Sequence, residues 1–357
     1  MVRIQYDGRM RRRPHSVRSI DADNFDSVVF YCRIRDRSLL RTLEFYAEDL
    51  DMLGRMSPAV HICTTWRELL AAPSGVLWAW WPATATPAVL YWRLRRRPVV
   101  LTGAVDLTNP LESLNKRRVK RVLTRAAVRA SDITLAISDY ERRDLELLVP
   151  SATVATLHPG VDCEYYTPGE LTPDPTVTTI AQINPQSVHR KGVDRLIDAF
   201  RTVRATVPDA TLAVIGPISP EGQAWIDSLR ASGALDGVTF LGRVDRDVKQ
   251  RMLASTWLYV QPSRYEGFGL ALAEAMASGA VPIASDVGSL PEVVGGAGQV
   301  LAGLTVEHLA QAMAVSLSAQ PQSDARHAAV QSAARFASTS RADRFRAICR
   351  ESSSQPQ

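Results

Sequence analysis

Residues Gln261 to Pro291 read QPSRYEGFGLALAEAMASGAVPIASDVGSLP, the pattern of a strand end, a glycine loop, a short apolar helix and a second strand. The helix expected over 268–278 is almost all Ala, Leu and Met, yet it carries one carboxylate, Glu274. An ionised side chain is costly to bury without a hydrogen-bonding partner, so something polar must face it. Gly267 and Gly269 leave the preceding backbone bare. The first N–H groups of the helix can then close on an anion, which also gains from the positive end of the helix dipole. Glu274 lies one turn beyond Leu270, and a carboxylate has the acceptors to hold two vicinal hydroxyls, as on a ribose. Phosphate plus ribose suggests a nucleotide. The bland alternative is a βαβ turn in which Glu274 is buried and neutralised and the glycines only make the turn tight.

The run PSRYEGFGLALAEAMASG resembles the signature of family 4 glycosyltransferases of the GT-B fold, with its two glutamates, Glu266 and Glu274, eight positions apart. The resemblance implies that Glu274 holds the donor ribose and that Glu266 faces the transferred sugar. It also implies that the backbone of Gly267, Phe268, Gly269 and Leu270 meets the diphosphate. LHPGVDCEYYTP is similar to that family's interdomain connection. AQINPQSVHRKGVDRLIDAF places Lys191, with Arg190 beside it, after a strand and before a helix expected to open at Gly192. Similar segments of the family carry such a lysine, which implies that Lys191 and Arg190 neutralise the departing diphosphate; a solvated pair of loop charges is the alternative. VTFLGRVDRDVKQRML looks like the family segment whose backbone contacts the base, and it makes Arg243 a candidate for base or phosphate contact.

Two departures from the family pattern stand out. Members usually carry a glycine-rich loop after the first strand, where this chain has FYCRIRDRSLL with Arg33, Arg35 and Arg37. They usually place a histidine after the fourth strand, where this chain has VVLTGAVDL with Gly103, Ala104 and Asp106. Asp106 and the three arginines are candidates for a remodelled acceptor side. The departures motivate a second function class, a non-catalytic GT-B-like nucleotide-sugar-binding partner or sensor. The first class is a glycosyltransferase; the resemblance implies that it retains configuration and needs no metal and no cofactor beyond its nucleoside-diphosphate sugar, the leaving phosphate serving as base. No convincing Ser/His/Asp or Cys/His constellation competes with it.

Those residues need a scaffold. At 357 residues the chain fits two domains, and its 46% hydrophobic content is that of an ordinary globular protein. Short apolar runs alternate with helical patterns throughout, the signature of α/β domains with parallel sheets. Strands are expected near residues 27–31, 59–63, 75–80, 98–102, 133–138 and 154–158, then near 176–182, 210–215, 238–242, 257–261, 281–285 and 299–301. The α/β reading is therefore a GT-B pair of Rossmann-like domains with parallel sheets facing across a cleft. The expected units are an acceptor-side domain (1–165), a nucleotide-sugar domain (166–322) and a helix crossing back to the first domain with a frayed tail (323–357). Ligands of such sheets sit beyond the carboxyl ends of the strands.

The remaining features narrow the partners. Four scattered cysteines without metal-ligand spacing fit a reducing cytoplasm. No signal peptide is expected from the charged N-terminus, and the uncharged run 76–92 is too short and too proline-broken to span a membrane. It reads as a strand to Trp81, a turn and a helix start. Asp245 and Asp247 form a DxD, read as a helix cap rather than a metal site; Asp21 and Asp23 form another in a loop. Lone histidines such as His61 and His158 read as structural. The net charge of +5 is concentrated in the first half, notably in KRRVKRVLTRAAVR from Lys116 to Arg129. This basic amphipathic helix could lie on an anionic membrane or grip an anionic acceptor, a glycan or a lipid-linked one; alternatively Val119, Val122, Leu123 and Ala126 form a core-facing stripe. Basic residues without interleaved aromatics or a reader motif argue against nucleic acid. A dehydrogenase is disfavoured because no strand is followed by GxGxxG.

Overall fold

The computed structural model describes residues 20, 25–104, 113–321 and 323–354. Six strands form a first sheet: β1 (Val28–Tyr31), β2 (Val60–Cys63), β3 (Val76–Trp80), β4 (Val99–Thr102), β5 (Ile133–Ala136) and β6 (Val154–Thr156). Six more form a second: β7 (Thr176–Ile180), β8 (Thr211–Ile215), β9 (Val238–Gly242), β10 (Leu258–Gln261), β11 (Val281–Ser285) and β12 (Gln299–Leu301). The orders are β2-β1-β3-β4-β5-β6 and β12-β11-β10-β7-β8-β9. Every pairing between these strands is parallel. This is the two-sheet Rossmann-like α/β architecture that the alternation of strands and helices dictates.

Central strands such as VVFY and LYVQ are apolar on both faces because helices cover both sides, whereas the edges β2, β9 and β12 are only partly buried. Alternation along β1 sends Val28 and Phe30 to one side, with Tyr46, Trp78 and Phe345, and Val29 and Tyr31 to the other, with Leu77 and Trp92. The second sheet is packed the same way. One core holds Phe200, Leu258 and Met313, and the other holds Tyr259, Leu272, Met276 and Phe336.

The order reverses between β1 and β3 in the first sheet and between β7 and β10 in the second. Crevices at such reversals are where open α/β sheets take ligands. The two sheets are tied together at the chain's end. Val161 bridges Ala337, and the helix Arg341–Ser354 then runs back to the first sheet, where Phe345 packs on Phe25 and Trp78. At its start the guanidinium of Arg341 pairs with the carboxylate of Asp49, a fully buried group that also accepts hydrogen bonds from the indoles of Trp78 (2.7 Å) and Trp80 (2.8 Å).

Three local expectations change. The segment before Lys191 is not a loop but a helix, Pro185–Lys191, started by Asn184, whose side chain caps Ser187, and ended by left-handed Gly192. No turn separates β3 from the next helix: Trp81 itself, in a left-handed conformation, is the N-cap of Pro82–Leu94. Of the two readings of the basic helix Leu114–Ala130, the core-facing stripe does not hold: the helix buries Thr124, Ala127 and Val128 and leaves Val119, Val122 and Leu123 exposed. Small residues let it lie close against Pro82–Leu94, with the Thr86 hydroxyl donating to the Leu123 carbonyl at 3.0 Å. The expected capping by Asp245 is present, its carboxylate accepting from the Val248 amide at 2.7 Å. Asp21, Asp23 and Asp106 lie outside the described residues.

Candidate functional site

A cavity of about 640 Å³ lies between the two sheets. Its second-sheet wall is built by the segments after β7 and β10, namely Ile180, Arg190, Lys191 and the run from Tyr265 to Ala271, with Glu274 one turn deeper. Its first-sheet wall is built by residues at the ends of β1, β3, β4 and β5 and just beyond them: Thr42 to Phe45, Trp80 and Trp81, Ala104, and Ile137. Both walls thus stand at the carboxyl ends of parallel strands and include both order reversals.

The helix expected over 268–278 spans Leu270–Ala277. Gly269, at φ +96°, turns the chain into it, and no side chain caps its first amides. Those N–H groups have no intrahelical acceptor and face the cavity end of the helix, an arrangement suited to an anion. Phe268 leaves the helix and packs against His158 and Phe336.

Glu266 and Glu274 are both buried, at 8% and 3% exposure, and each is compensated by a lysine. Lys191 Nζ donates to Glu266 Oε2 at 2.5 Å, and Gln261 Nε2 donates to the same oxygen at 2.7 Å. Burial pushes the Glu266 carboxyl up. The charges of Lys191 and Arg190 and the two hydrogen bonds outweigh that and hold it below the usual carboxylate range. Glu266 is therefore a carboxylate engaged by an ammonium, with Arg190 in the same wall.

Glu274 is held differently. Lys249 Nζ, reaching in from the helix Arg246–Ser255, lies 3.3 and 3.2 Å from its two carboxylate oxygens. The same ammonium donates to Glu44 Oε1 at 2.6 Å, and Tyr166 Oη donates to that oxygen at 3.0 Å. Glu44 opens the helix Glu44–Met56 of the first sheet, so this carboxylate–ammonium–carboxylate cluster spans the cleft. Burial raises Glu274, and its contact with Glu44 raises it further, so it stands well above the ordinary range despite Lys249. Burial also raises Glu44, but its hydrogen bonds and Lys249 win and bring it down to about 2. The cluster thus sets one ammonium between two carboxyls, Glu44 depressed and Glu274 raised, so that this single cation serves both.

The cavity thus gathers Glu266, Glu274, Gly267, Phe268, Gly269, Leu270, Lys191 and Arg190. It does not include Arg243, which is exposed and lines no part of it. Arg33, Arg35 and Arg37 are exposed as well, and Arg37 turns outward to Glu68 (3.1 Å) and the Ile62 carbonyl (3.3 Å). None of the three lines the cavity. Where the family pattern suggests a histidine, Ala104 lines the wall. His158 has a partner after all: Nε2 lies 2.5 Å from Glu292 Oε1, whose carboxylate also accepts from the Asp139 amide at 3.1 and 3.0 Å and so joins the two halves.

Lys249, Glu44, Phe45, Trp80 and Trp81 were not singled out by sequence reasoning. Lys249 sits in a helix with five other charged residues within a few positions, and only the expected fold, which puts that helix beside Glu274, could have drawn attention to it. The signal for the aromatics was the pair Trp80–Trp81 at the carboxyl end of a strand, where this sheet type places ligands.

The family model described as Glycosyl transferases group 1 matches residues 174–335. The chain is 31% identical over 268 residues to the lipopolysaccharide core biosynthesis mannosyltransferase LpcC of Rhizobium leguminosarum, covering 70% of this chain and 72% of that protein. It is 30% identical over 221 residues to a GDP-mannose-dependent α-(1-6)-phosphatidylinositol monomannoside mannosyltransferase of Mycobacterium tuberculosis, covering 55% of each. Its fold is similar to that of HepE of Anabaena, solved in complex with UDP and glucose, at a TM-score of 0.68 and 18% identity over 90% of this chain and 98% of that one.

Proposed function

Because the chain belongs to the glycosyl transferases group 1 and is a glycosyltransferase of the GT-B fold, we propose that it moves a sugar from a nucleoside-diphosphate sugar, held mainly by residues 166–322, to an acceptor held by residues 1–165. The observation that carries this reading is the convergence of two buried glutamates and an uncapped helix N-terminus in one cavity between two sheets. In it the diphosphate lies on the amides of Gly267 to Leu270, Glu274 accepts the ribose hydroxyls, and Glu266 faces the sugar. Lys191 and Arg190, with the helix dipole, stabilise the departing diphosphate without help from a metal. Glu266 is engaged by Lys191 and Gln261, so it suits positioning better than nucleophilic attack. Retention of configuration, which the family resemblance implies, then runs without a protein nucleophile, the leaving phosphate taking the acceptor's proton on the same face.

The mannosyltransferases among the relatives support GDP-mannose as the first donor to try, and UDP in the HepE complex supports the uridine donors as the second. Contact with an anionic membrane surface is supported by the helix Leu114–Ala130, where Leu114, Val119 and Val122 are 66%, 60% and 69% exposed among Lys116, Arg118, Arg121 and Arg125. No helix among the described residues is long and apolar enough to cross a membrane. Thermal-shift screening against GDP-, UDP-, ADP- and dTDP-sugars tests the donor assignment, since a specific ligand raises apparent stability by mass action. In that screen Glu274→Ala keeps the fold and loses the shift; an undiminished shift refutes the ribose role.

A further inference from the structure

The first-sheet wall of the cavity is aromatic. Phe45, Trp80 and Trp81 line it opposite the glycine loop. Their rings interlock: Phe45 to Trp80 is 5.2 Å between centroids at 38°, Phe45 to Trp81 is 6.1 Å at 90°, and Trp80 to Trp81 is 5.7 Å at 57°. Trp80 is almost wholly buried, whereas Phe45 and Trp81 keep part of their surface open.

This wall is held in place at a cost. Trp81 adopts φ 65° and ψ 85°, a left-handed conformation that strains a bulky side chain. Its backbone N–H donates to the Thr102 carbonyl at 3.0 Å and its indole N–H to Tyr46 Oη at 2.5 Å. Gly103, itself at φ +100°, leaves the space this requires, since a β-carbon there would lie 2.8 Å from the Trp80 ring and 2.9 Å from the Trp81 nitrogen. A tryptophan needed only for the core would be buried from an unstrained backbone. Here the strain fixes a ring that stays accessible to the cavity.

From this we propose that Phe45 and Trp81, backed by the buried Trp80, form a stacking site for the ring of a saccharide or cyclitol acceptor. The inference rests on the reading that a nucleotide sugar occupies the opposite wall. One face of a pyranose or cyclitol presents C–H groups, which match the negative face of an aromatic ring, while its hydroxyls project from the rim. Glu44, beside Phe45 on the same wall, and its partner Lys249 meet those hydroxyls with charge. An acyl chain would find the aromatic wall but would leave these groups facing hydrocarbon, which is costly. The combination selects a polyhydroxylated ring, and a lipid-linked acceptor would present its sugar or cyclitol head here with its tail outside.

The test is saturation-transfer NMR on the full chain in the presence of UDP or GDP. Methyl α-D-mannopyranoside and myo-inositol serve as ring probes, and glycerol as the acyclic control. Ring C–H protons of at least one ring probe should receive saturation while glycerol receives none. The signal should fall at least about fivefold in Phe45→Ala and in Phe45→Leu, which keeps apolar bulk without a π face, and should persist in Phe45→Tyr. Ring signals absent in the wild type, matched by glycerol, or undiminished in Phe45→Leu would overturn the proposal. Calorimetry with UDP and GDP separates the two readings. Phe45→Leu should bind nucleotide within about twofold of wild type. A wild-type chain that binds neither nucleotide overturns the donor reading; one that binds nucleotide yet stacks no ring probe overturns only the aromatic site.

Discussion

Donor binding should expel a proton from Glu274, which burial and then Glu44 raise. In the free enzyme Glu274 is held above the ordinary carboxylate range by burial and by Glu44, while Glu44 itself, at about 2, stays ionised against Lys249. To accept hydrogen bonds from both ribose hydroxyls, Glu274 must be a carboxylate. The free enzyme then holds one proton more than the complex, so raising the pH favours the complex. Below the free-state pKa of Glu274, donor Kd should fall tenfold per pH unit, about 1.36 kcal/mol, and above it the dependence should flatten. Isothermal titration of the tightest donor in buffers of different ionisation enthalpy, from about pH 6 to about pH 8, reads the proton count directly. A nucleotide sugar is the right ligand, because the terminal phosphate of a free nucleoside diphosphate titrates near ~6 and would add its own proton. Glu44→Gln leaves the burial of Glu274 but removes the neighbouring charge that adds to it, so proton release should fall and the affinity slope should become shallower. A wild type that releases no proton across the range, or a Glu44→Gln enzyme that releases as many, would refute the reasoning.

Other outcomes rest on the same contacts. Lys191→Met leaves the Glu266 carboxylate buried without its ammonium and should cost about 3–5 kcal/mol of stability, much of it recovered when Glu266→Gln is added; chemical denaturation of the single and double variants checks this. Because the Glu266 carboxyl is depressed in the folded state, its contribution is present above the ordinary value of 4.5 and is lost as pH falls through its lower folded value. Asp49→Ala orphans the Arg341 guanidinium, 4% exposed, and two indole N–H groups, and should cost a similar ~3–5 kcal/mol, seen as a lowered Tm. Val119→Ser with Val122→Ser should weaken flotation with anionic vesicles, and each charge removed among Arg118, Arg121 and Arg125 should cost about 1 kcal/mol more; vesicle binding that ignores both salt and these changes would sink the membrane contact.

The architecture was legible because its signals are local. Runs such as VVFY and LYVQ can only be doubly covered strands, and each of the twelve appears within two residues of where the apolar pattern puts it. The second-sheet wall was legible for a related reason, since its glycine loop, helix start and two glutamates are contiguous in sequence. The first-sheet wall was not. Glu44, Phe45, Trp80, Trp81 and Ala104 come from three separate turns and meet only through sheet order. The solitary carboxylate on the apolar helix promised a polar neighbour without saying which, and the neighbour is Lys249, supplied by another helix. The misjudged stripe on Leu114–Ala130 has a plain cause. Periodicity marks which residues share a helix face but not which face is covered, and the close approach of Pro82–Leu94 favours Ala127 and Thr124 over Val119 and Val122.

The pairing of Arg341 with Asp49 has a consequence in time. The two residues are 292 positions apart, and the same carboxylate anchors the indole of Trp80. During synthesis the first sheet emerges from the ribosome before residue 341, so this buried acid lacks its cation until the second sheet has also been translated. The second sheet can therefore be completed before the opposite wall is secured, and a product interrupted ahead of residue 341 would carry the proposed donor wall while its first-sheet wall lacked this anchor.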